Sequence, residues 1–201
     1  MRSAKTPHAK RLFAVYYKSL NALAQGTCPE EETRKIELLM NQAHASVEDR
    51  AVVKVSLDLE EKTGAPAAAL ELHDGRIVHG KTSDLLGPSA ALLLNALKAL
   101  AGIDHDSHLI SPQAIEPIQT LKTQYLGSKN PRLHTDETLI ALSISAASNE
   151  KARAALEQLP NLRGCQAHTS VMLSSVDIQE FMKLSIELTS EPKYEHKKIY
   201  H

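Results

Sequence analysis

The sequence is poor in the residues that mark nucleic-acid binding. Tryptophan is absent and aromatic residues make up 3% of the 201 residues, so surfaces for stacking bases are poorly supplied. The formal net charge is −1, and neither half of the chain is strongly basic. A protein that binds duplex nucleic acid usually carries a basic face. We therefore expect no nucleic-acid partner.

Signals for secretion, membranes and common cofactors are also missing. The amino terminus, MRSAKTPHAKRLF, lacks an apolar signal core. No apolar run approaches the roughly 20 residues that cross a bilayer, so we expect no membrane partner. Cys28 and Cys165 are the only cysteines, and free thiols in a reducing cytoplasm are expected. The glycine-rich phosphate and dinucleotide loops and the G-x-S-x-G motif are absent, and we expect no cofactor.

The first 64 residues show helical periodicity. Apolar residues spaced for a helix occur over 8–25, and Gly26 ends that segment. Pro29 and an acidic run predict a second helix start. A third helix is expected over 48–62. We predict a helical subdomain over 1–64, followed by a second domain over 65–201.

The second domain mixes strands with helices. Asp74-Gly75 predicts a β-hairpin, and the almost wholly apolar stretch 88–101 predicts a buried helix. Further strands are predicted at 107–111, 165–174 and 185–190. Helices are predicted from 112 to 125, then over 135–148, 150–159 and 175–184. This order predicts a three-layer α/β domain with a mixed sheet.

A hairpin followed by an apolar helix resembles the way nucleoside-type deaminases present their zinc site. These enzymes carry a His or Cys at the start of one core helix and P-C-x-x-C at the start of the next. The corresponding windows here are GPSAA, 87–91, and PQAIE, 112–116. We expect the starts of these two helices to meet over the sheet.

The residues in these windows are poor zinc ligands. Ser89 or Ala90 occupies the His or Cys place, and Gln113 and Glu116 occupy the two cysteine places. Hydroxyl and amide groups bind zinc poorly beside imidazole and thiolate, so we predict no metal. The helix start at 88 is expected either to bind a polar ligand through the amides of Ser89 and Ala90, or to be capped by Ser83 or Asp84.

The most distinctive polar stretch is LKTQYLGSKNPRLHTDE, 121–137. Lys122, Lys129 and Arg132 are candidates to converge on a carboxylate or phosphate, with Asn130 as a directional partner. A solvated turn is the alternative. Cys165 and His168 suggest half a metal site, but a buried thiol and a structural histidine are favoured, because residues three apart on a strand face opposite sides.

Three long strings carry a resemblance to a known family. They are ALELHDGRIVHGK (69–81), ALEQLPNLRGCQAHTSVMLS (155–174) and the segment 115–149, which begins IEPIQTLKTQYLGSKNPRL. With them the chain resembles the C-terminal part of a bacterial family known as domain of unknown function 1846. The resemblance implies a cytidine-deaminase-like fold, preceded in longer members by a domain with a nucleotide-binding-like layout. It implies no reaction.

Three functions follow as expectations. The first is a module that binds an anion or phosphorylated metabolite, acting with the absent N-terminal domain or as a homo-oligomer. The second is a metal-independent, transferase-like enzyme that acts on a phosphorylated small molecule, with Glu116 as acid or base. The third is an assembly surface alone.

Overall fold

The computed structural model describes residues 7–195. Eight α-helices and four strands are described in this range. They are α1 (Pro7–Ala24), α2 (Glu30–Gln42), α3 (Ala51–Thr63), β1 (Ala67–Glu71), β2 (Ile77–Lys81), α4 (Pro88–Ala101), α5 (Pro112–Thr120), α6 (Thr135–Ser145), α7 (Glu150–Leu156), β3 (Gln166–Thr169), α8 (Ser175–Lys183) and β4 (Glu187–Ser190). A π-helix (Leu121–Tyr125) continues α5, and 3-10 turns occur at Val47–Asp49 and Leu159–Leu162.

The four strands form one mixed sheet in the order β2-β1-β3-β4. β1 is antiparallel to both of its neighbours, whereas β3 and β4 are parallel. The predicted hairpin is confirmed: Gly75 adopts a φ of 85°, and the Asp74 carboxylate accepts a hydrogen bond from the Arg76 amide. Because β1 reverses the direction, β2 runs the same way as β3 and β4.

The strand predicted at 107–111 is wrong, because this segment forms no ladder. Its two apolar residues, Leu109 and Ile110, are buried in the main core without strand pairing. β1 pairs directly with β3, and this leaves no place for another strand between them. Along the chain, β3 follows α5, α6 and α7.

Helices cover both faces of the sheet. α3 packs on β1 and β3, and α1 packs on β4. α4 packs on β2 and β1, and Leu70 of β1 joins the same core as Leu92 and Leu97 of α4. Ala67, Ala68 and Ala69 of β1 are fully buried. This confirms the α/β class and the mixed sheet.

The amino-terminal helices have a core of their own. Phe13 of α1 and Met40 of α2 are buried together with Ala9 and Ala45. The predicted boundary at residue 64 stays a prediction, and α3, which precedes it, lies on the sheet. In the described part of the chain, no helix is both long and apolar enough to cross a membrane.

Candidate functional site

The loop that follows the π-helix is held by buried polar contacts. The side chain of Lys122 is only 7% exposed, and its Nζ donates to the Arg132 carbonyl and pairs with Glu137 at 2.7 Å. The Asn130 side chain accepts from the Arg132 amide at 3.1 Å. Leu133 bonds through its backbone to Leu85 and Gly87, at 2.9 and 3.3 Å. The loop is therefore fixed against the segment that leads into α4.

Asp177, in the first turn of α8, is the centre of a second set of contacts. Its carboxylate accepts from the Thr135 amide at 2.9 Å, the Thr135 hydroxyl at 2.7 Å and the Ser174 hydroxyl at 2.7 Å. His134 Nδ1 lies 3.0 Å from Asp177 Oδ2. Ser174 caps α8 by accepting from the Asp177 amide. These bonds tie the start of α8 to the start of α6.

The hydrogen bonds shift the pKa of both members of this pair. The bond to Asp177 raises the pKa of His134, against a smaller opposing effect of burial. Burial alone would raise the pKa of Asp177, but the bonds from His134, Thr135 and Ser174 outweigh it and hold that pKa far below its ordinary range. With Nδ1–H donating to the Asp177 carboxylate, Nε2 is the ring nitrogen outside this pair.

A cavity of about 170 Å³ joins these contacts. It is lined by Gly87, Pro88, Asn130, Arg132, Leu133, His134, Val171, Met172, Leu173, Ser174, Asp177 and Glu195. The Arg132 guanidinium pairs with Glu195 at 2.7 Å, and the two side chains are 10% and 28% exposed. The cavity is thus lined by two pairs of basic and acidic side chains, Arg132–Glu195 and His134–Asp177.

Only some of the predicted site residues line this cavity. Arg132 and Asn130 do, beside Pro88 at the start of α4. Ser89 and Ala90 are buried in the first turn of α4 and are not among the lining residues. Lys122 lies behind the loop in its ion pair, and Lys129 is exposed.

Glu116 and Gln113 lie elsewhere. Both are exposed on α5 and line a shallow depression with Pro117, Leu121 and Tyr125. The helix start that shares the cavity with α4 is that of α8, not that of α5.

The predicted cap of α4 is wrong. Its N-cap residue is Gly87, without a side-chain hydrogen bond. Ser83 instead accepts from the amides of Leu85 and Leu86, one turn earlier. The side chain of Asp84 makes no contact with the helix start among the hydrogen bonds of residues 7–195.

The sequence reasoning missed His134, Ser174, Asp177 and Glu195. One local signal was available: Ser174 and Asp177 have the S-x-x-D spacing that marks a helix start. That signal predicts the cap but says nothing of His134, which lies 43 residues earlier in the chain. Among residues 7–195, no group of three or more His, Cys, Asp or Glu side chains is placed to hold a metal ion.

A buried polar network lies on the other face of the sheet. Arg50 donates to Thr189 at 2.7 Å, and Thr189 lies 2.9 Å from His168 Nδ1. His168 Nε2 lies 3.1 Å from Glu191, which also accepts from Tyr17 at 3.3 Å. Burial lowers the pKa of His168, so the ring is neutral and donates to Glu191. His168 and Cys165 are both buried, and Cys165 is a free thiol, as the structural interpretation predicted.

Comparisons with known proteins identify the family of this chain. Residues 48–200 match the family described as "Domain of unknown function DUF1846, C-terminal". The chain belongs to this family. A UPF0371 protein of Corynebacterium glutamicum is 57% identical over 185 residues, which is 92% of this chain and 37% of the relative.

Members from a second genus are also similar. A UPF0371 protein of Streptococcus thermophilus is 46% identical over 198 residues, 98% of this chain and 40% of the relative. The chain therefore spans about two fifths of the length of the curated relatives it matches. The match to the DUF1846 C-terminal domain begins at residue 48, next to α3.

Proposed function

We propose that this chain is a ligand-binding module of the DUF1846 family, and that its site is the cavity between the starts of α4 and α8. One observation carries the proposal: Arg132 and the His134–Asp177 pair line the same cavity. A guanidinium recognises carboxylate and phosphate through paired hydrogen bonds. An imidazole oriented by a carboxylate offers a directional second contact.

The charges define how an anion would bind. Arg132 is already neutralised by Glu195, and His134 is paired with Asp177. An anionic ligand therefore gains little by simple attraction and must replace the Glu195 carboxylate on Arg132. Glu195 is the more exposed member of that pair, at 28%, and follows the last strand by five residues. Its displacement leaves Arg132 and the loop bonds of Asn130 in place.

The volume limits the ligand. A cavity of about 170 Å³ is smaller than the roughly 300 Å³ at which pockets for drug-sized molecules begin. It suits a phosphate group or a small carboxylate, or the anionic end of a longer metabolite that extends into solvent.

Calorimetric titration with inorganic phosphate at low ionic strength tests the proposal. Replacing Arg132 with Ala should abolish phosphate binding in this cavity, whereas Glu195→Gln should strengthen it, because the competing carboxylate is removed. Lys129→Ala is the matched control, since Lys129 lies in the same loop, is exposed and does not line the cavity. Equal affinity in the wild type and the Glu195→Gln and Arg132→Ala variants would refute this site.

We also propose that the scaffold is deaminase-like. β2 and β3 run in the same direction, and the helices that follow them, α4 and α8, both line the cavity. Zinc deaminases place their ligands at two such helix starts. The equivalent of the second start would then be Ser174–Asp177 rather than the predicted window at 112–116.

The donor set does not fit zinc at this place. Structural and catalytic zinc sites use at least three His, Cys or carboxylate ligands. Here the α4 start offers only Pro88 and its small neighbours, and the Asp177 carboxylate already accepts four hydrogen bonds. Stoichiometric zinc in elemental analysis of the purified chain, lost on substitution of His134, would overturn this proposal.

A second candidate is a metal-independent enzyme that acts on a phosphorylated small molecule. The free Nε2 of His134 favours it, because a carboxylate-oriented imidazole is suited to general acid–base work. His134 then takes the acid or base role that was expected for Glu116. Conversion of a retained metabolite, found by mass spectrometry of the purified protein, should be lost in His134→Asn and kept in Glu116→Gln. The reverse result would restore Glu116 as the acid or base.

We propose further that the module works with the rest of the longer chain or with a second copy, in the cytoplasm. Leu38 and Leu39 of α2 are exposed by 61% and 51%, and Tyr125 and Leu126 after α5 by 77% and 71%. Contiguous exposed apolar patches mark contact surfaces, and these two pairs of adjacent residues are the candidates for them. Light scattering that shows a monomer at all concentrations would exclude self-association.

A further inference from the structure

A second cavity lies on the α1 side of the sheet. Its volume is about 470 Å³, within the range of small-molecule sites. Three cationic residues, Lys10, Arg11 and Arg50, line it together with a single acidic residue, Glu187. The remaining lining is neutral, so the cavity carries an excess of positive charge.

Arg50 is the unusual member of this group. Its side chain is 95% buried, since the residue is only 5% exposed, and its guanidinium donates to neutral acceptors: Thr189 at 2.7 Å and, weakly, the Ala167 carbonyl at 3.5 Å. Between residues 7 and 195, no carboxylate lies within ion-pairing distance of it, and its Nε has no hydrogen-bond partner. A buried charge is costly unless a counter-charge is close.

The acidic groups nearby compensate Arg50 only at a distance. Glu191 is linked to it through two intermediates, Thr189 and His168. Burial lowers the pKa of Arg50, and the attraction of Glu187 and Glu71 opposes this effect only in part. Glu187 also contacts Lys10, but loosely, at 3.9 Å. The cavity therefore carries more positive charge than its one acidic lining residue balances.

We infer that this cavity binds a phosphate-bearing small molecule, with Arg50 at its base and Lys10 and Arg11 at its entrance. Arg50 is the N-cap residue of α3, and the hydrogen bond to Thr189 and the Phe13 ring, whose centroid lies 5.6 Å from Cζ, fix the position of its guanidinium. Lys10 and Arg11 are neighbours on α1 and are more exposed, so they can close on a phosphate as it enters. Arginine and lysine around one cavity suit phosphate oxygens.

This site is separate from the Arg132 cavity. It lies beside Gln166 and Glu187, the first residues of β3 and β4. The Arg132 cavity lies beyond the carboxyl end of β3, at Val171–Ser174. Five residues of extended chain separate the two ends by roughly 16 Å, and the two cavities share no lining residue.

Calorimetric titration of the chain with inorganic pyrophosphate at low ionic strength tests the inference. Saturable binding is expected, and Arg11→Ala and Lys10→Ala should each weaken it on the order of tenfold, as expected for loss of one charge-assisted contact. Lys35→Ala is the matched control. Lys35 is an exposed lysine of α2 outside both cavities, so the variant removes the same charge and should bind as the wild type does.

Arg50 is buried, and its substitution can unfold the protein. Arg50→Lys is therefore measured only after circular dichroism shows the wild-type helix content, and it should bind at least tenfold more weakly, because a lysine lacks the planar fork. Pyrophosphate should also raise the melting temperature of Arg132→Ala, in which the other anion site is removed, and not that of the triple variant Lys10→Ala, Arg11→Ala, Arg132→Ala.

Several results would overturn the inference. These are the absence of saturable binding, an equal loss of affinity in Lys35→Ala, or binding that survives in Arg132→Ala and is unchanged in the triple variant. Loss of pyrophosphate binding only in Arg132→Ala would assign it to the other cavity, which would support the proposed function and refute this second site. Citrate binding as tight as that of pyrophosphate would overturn the assignment to phosphate.

Discussion

Replacing Gly80 with alanine should be one of the most destabilising single-methyl additions in this protein. Gly80 lies in β2, directly under α4. A methyl group on its Cα would lie 2.7 Å from the carbonyl carbon of Ala91 and from Cα of Leu92, and closer still to the Leu92 amide nitrogen. All three are backbone atoms, so no rotamer change can relieve the overlap.

The size of the effect follows from the rigid surroundings. To restore ordinary contact with all three atoms, α4 must move away from β2 by about 1 Å or more. The helix carries Leu92, Leu93 and Leu97, all fully buried, so the whole core would have to follow. Overpacking of this kind costs typically 1–3 kcal/mol, and a backbone clash belongs at the upper end. We expect a loss of about 3 kcal/mol, a large part of the 5–15 kcal/mol that stabilises a typical domain.

Urea unfolding followed by circular dichroism measures this loss. With a slope of about 2 kcal/mol per molar urea, the midpoint should fall by about 1.5 M. Gly87→Ala is the control, because Gly87 has a φ of −69° and a methyl group there meets only the Leu133 carbonyl oxygen, at 3.8 Å. The control should stay within about 1 kcal/mol of the wild type. A Gly80→Ala variant as stable as this control would refute the reasoning.

Three further outcomes are expected. Asp177→Asn should lower the free energy of unfolding at pH 7 by about 2–4 kcal/mol in urea titrations, because four donors lose a buried charged acceptor; a loss below 1 kcal/mol would contradict this. The raised pKa of His134 contributes stability that is complete below its ordinary value of 6.5 and is lost as pH rises through the raised value. The difference in unfolding free energy between wild type and His134→Asn should therefore shrink from pH 6 to pH 9. A constant difference would argue against this coupling. Tyr17→Phe removes the hydroxyl that donates to Glu191 at 3.3 Å and should cost about 1 kcal/mol in the same assay, whereas no loss would show that this bond adds nothing.

Local patterns predicted the hairpin and the buried helix α4, because Asp74-Gly75 and an apolar run of this length act over a few residues. The segment 107–111 shows the limit of that reasoning. Its apolar pair is the same for a strand and for a buried turn, and only the direct pairing of β1 with β3 decides between them. Information of this kind is not local.

The candidate site shows the same limit for charges. Lys122, Lys129 and Arg132 form one basic cluster in the sequence, yet Lys122 is neutralised by Glu137 and Arg132 by Glu195, 63 residues away. The number of lysines and arginines in this stretch therefore overestimates the positive charge that the loop presents. The sequence does not predict the Arg50 cavity, because α1 and the start of α3 come together only when both pack on the sheet.

The three successive alanines of β1 occupy little volume at the centre of the molecule. Two layers of helices approach each other across side chains no larger than a methyl group. A larger side chain in β1 would overlap with packed neighbours that cannot move away. Tolerance to substitution should therefore be lowest in this short strand. Variants with larger side chains in β1 should fold only when the side chains of the opposing helix become smaller at the same time. A library that varies both elements together should recover such pairs where single changes fail.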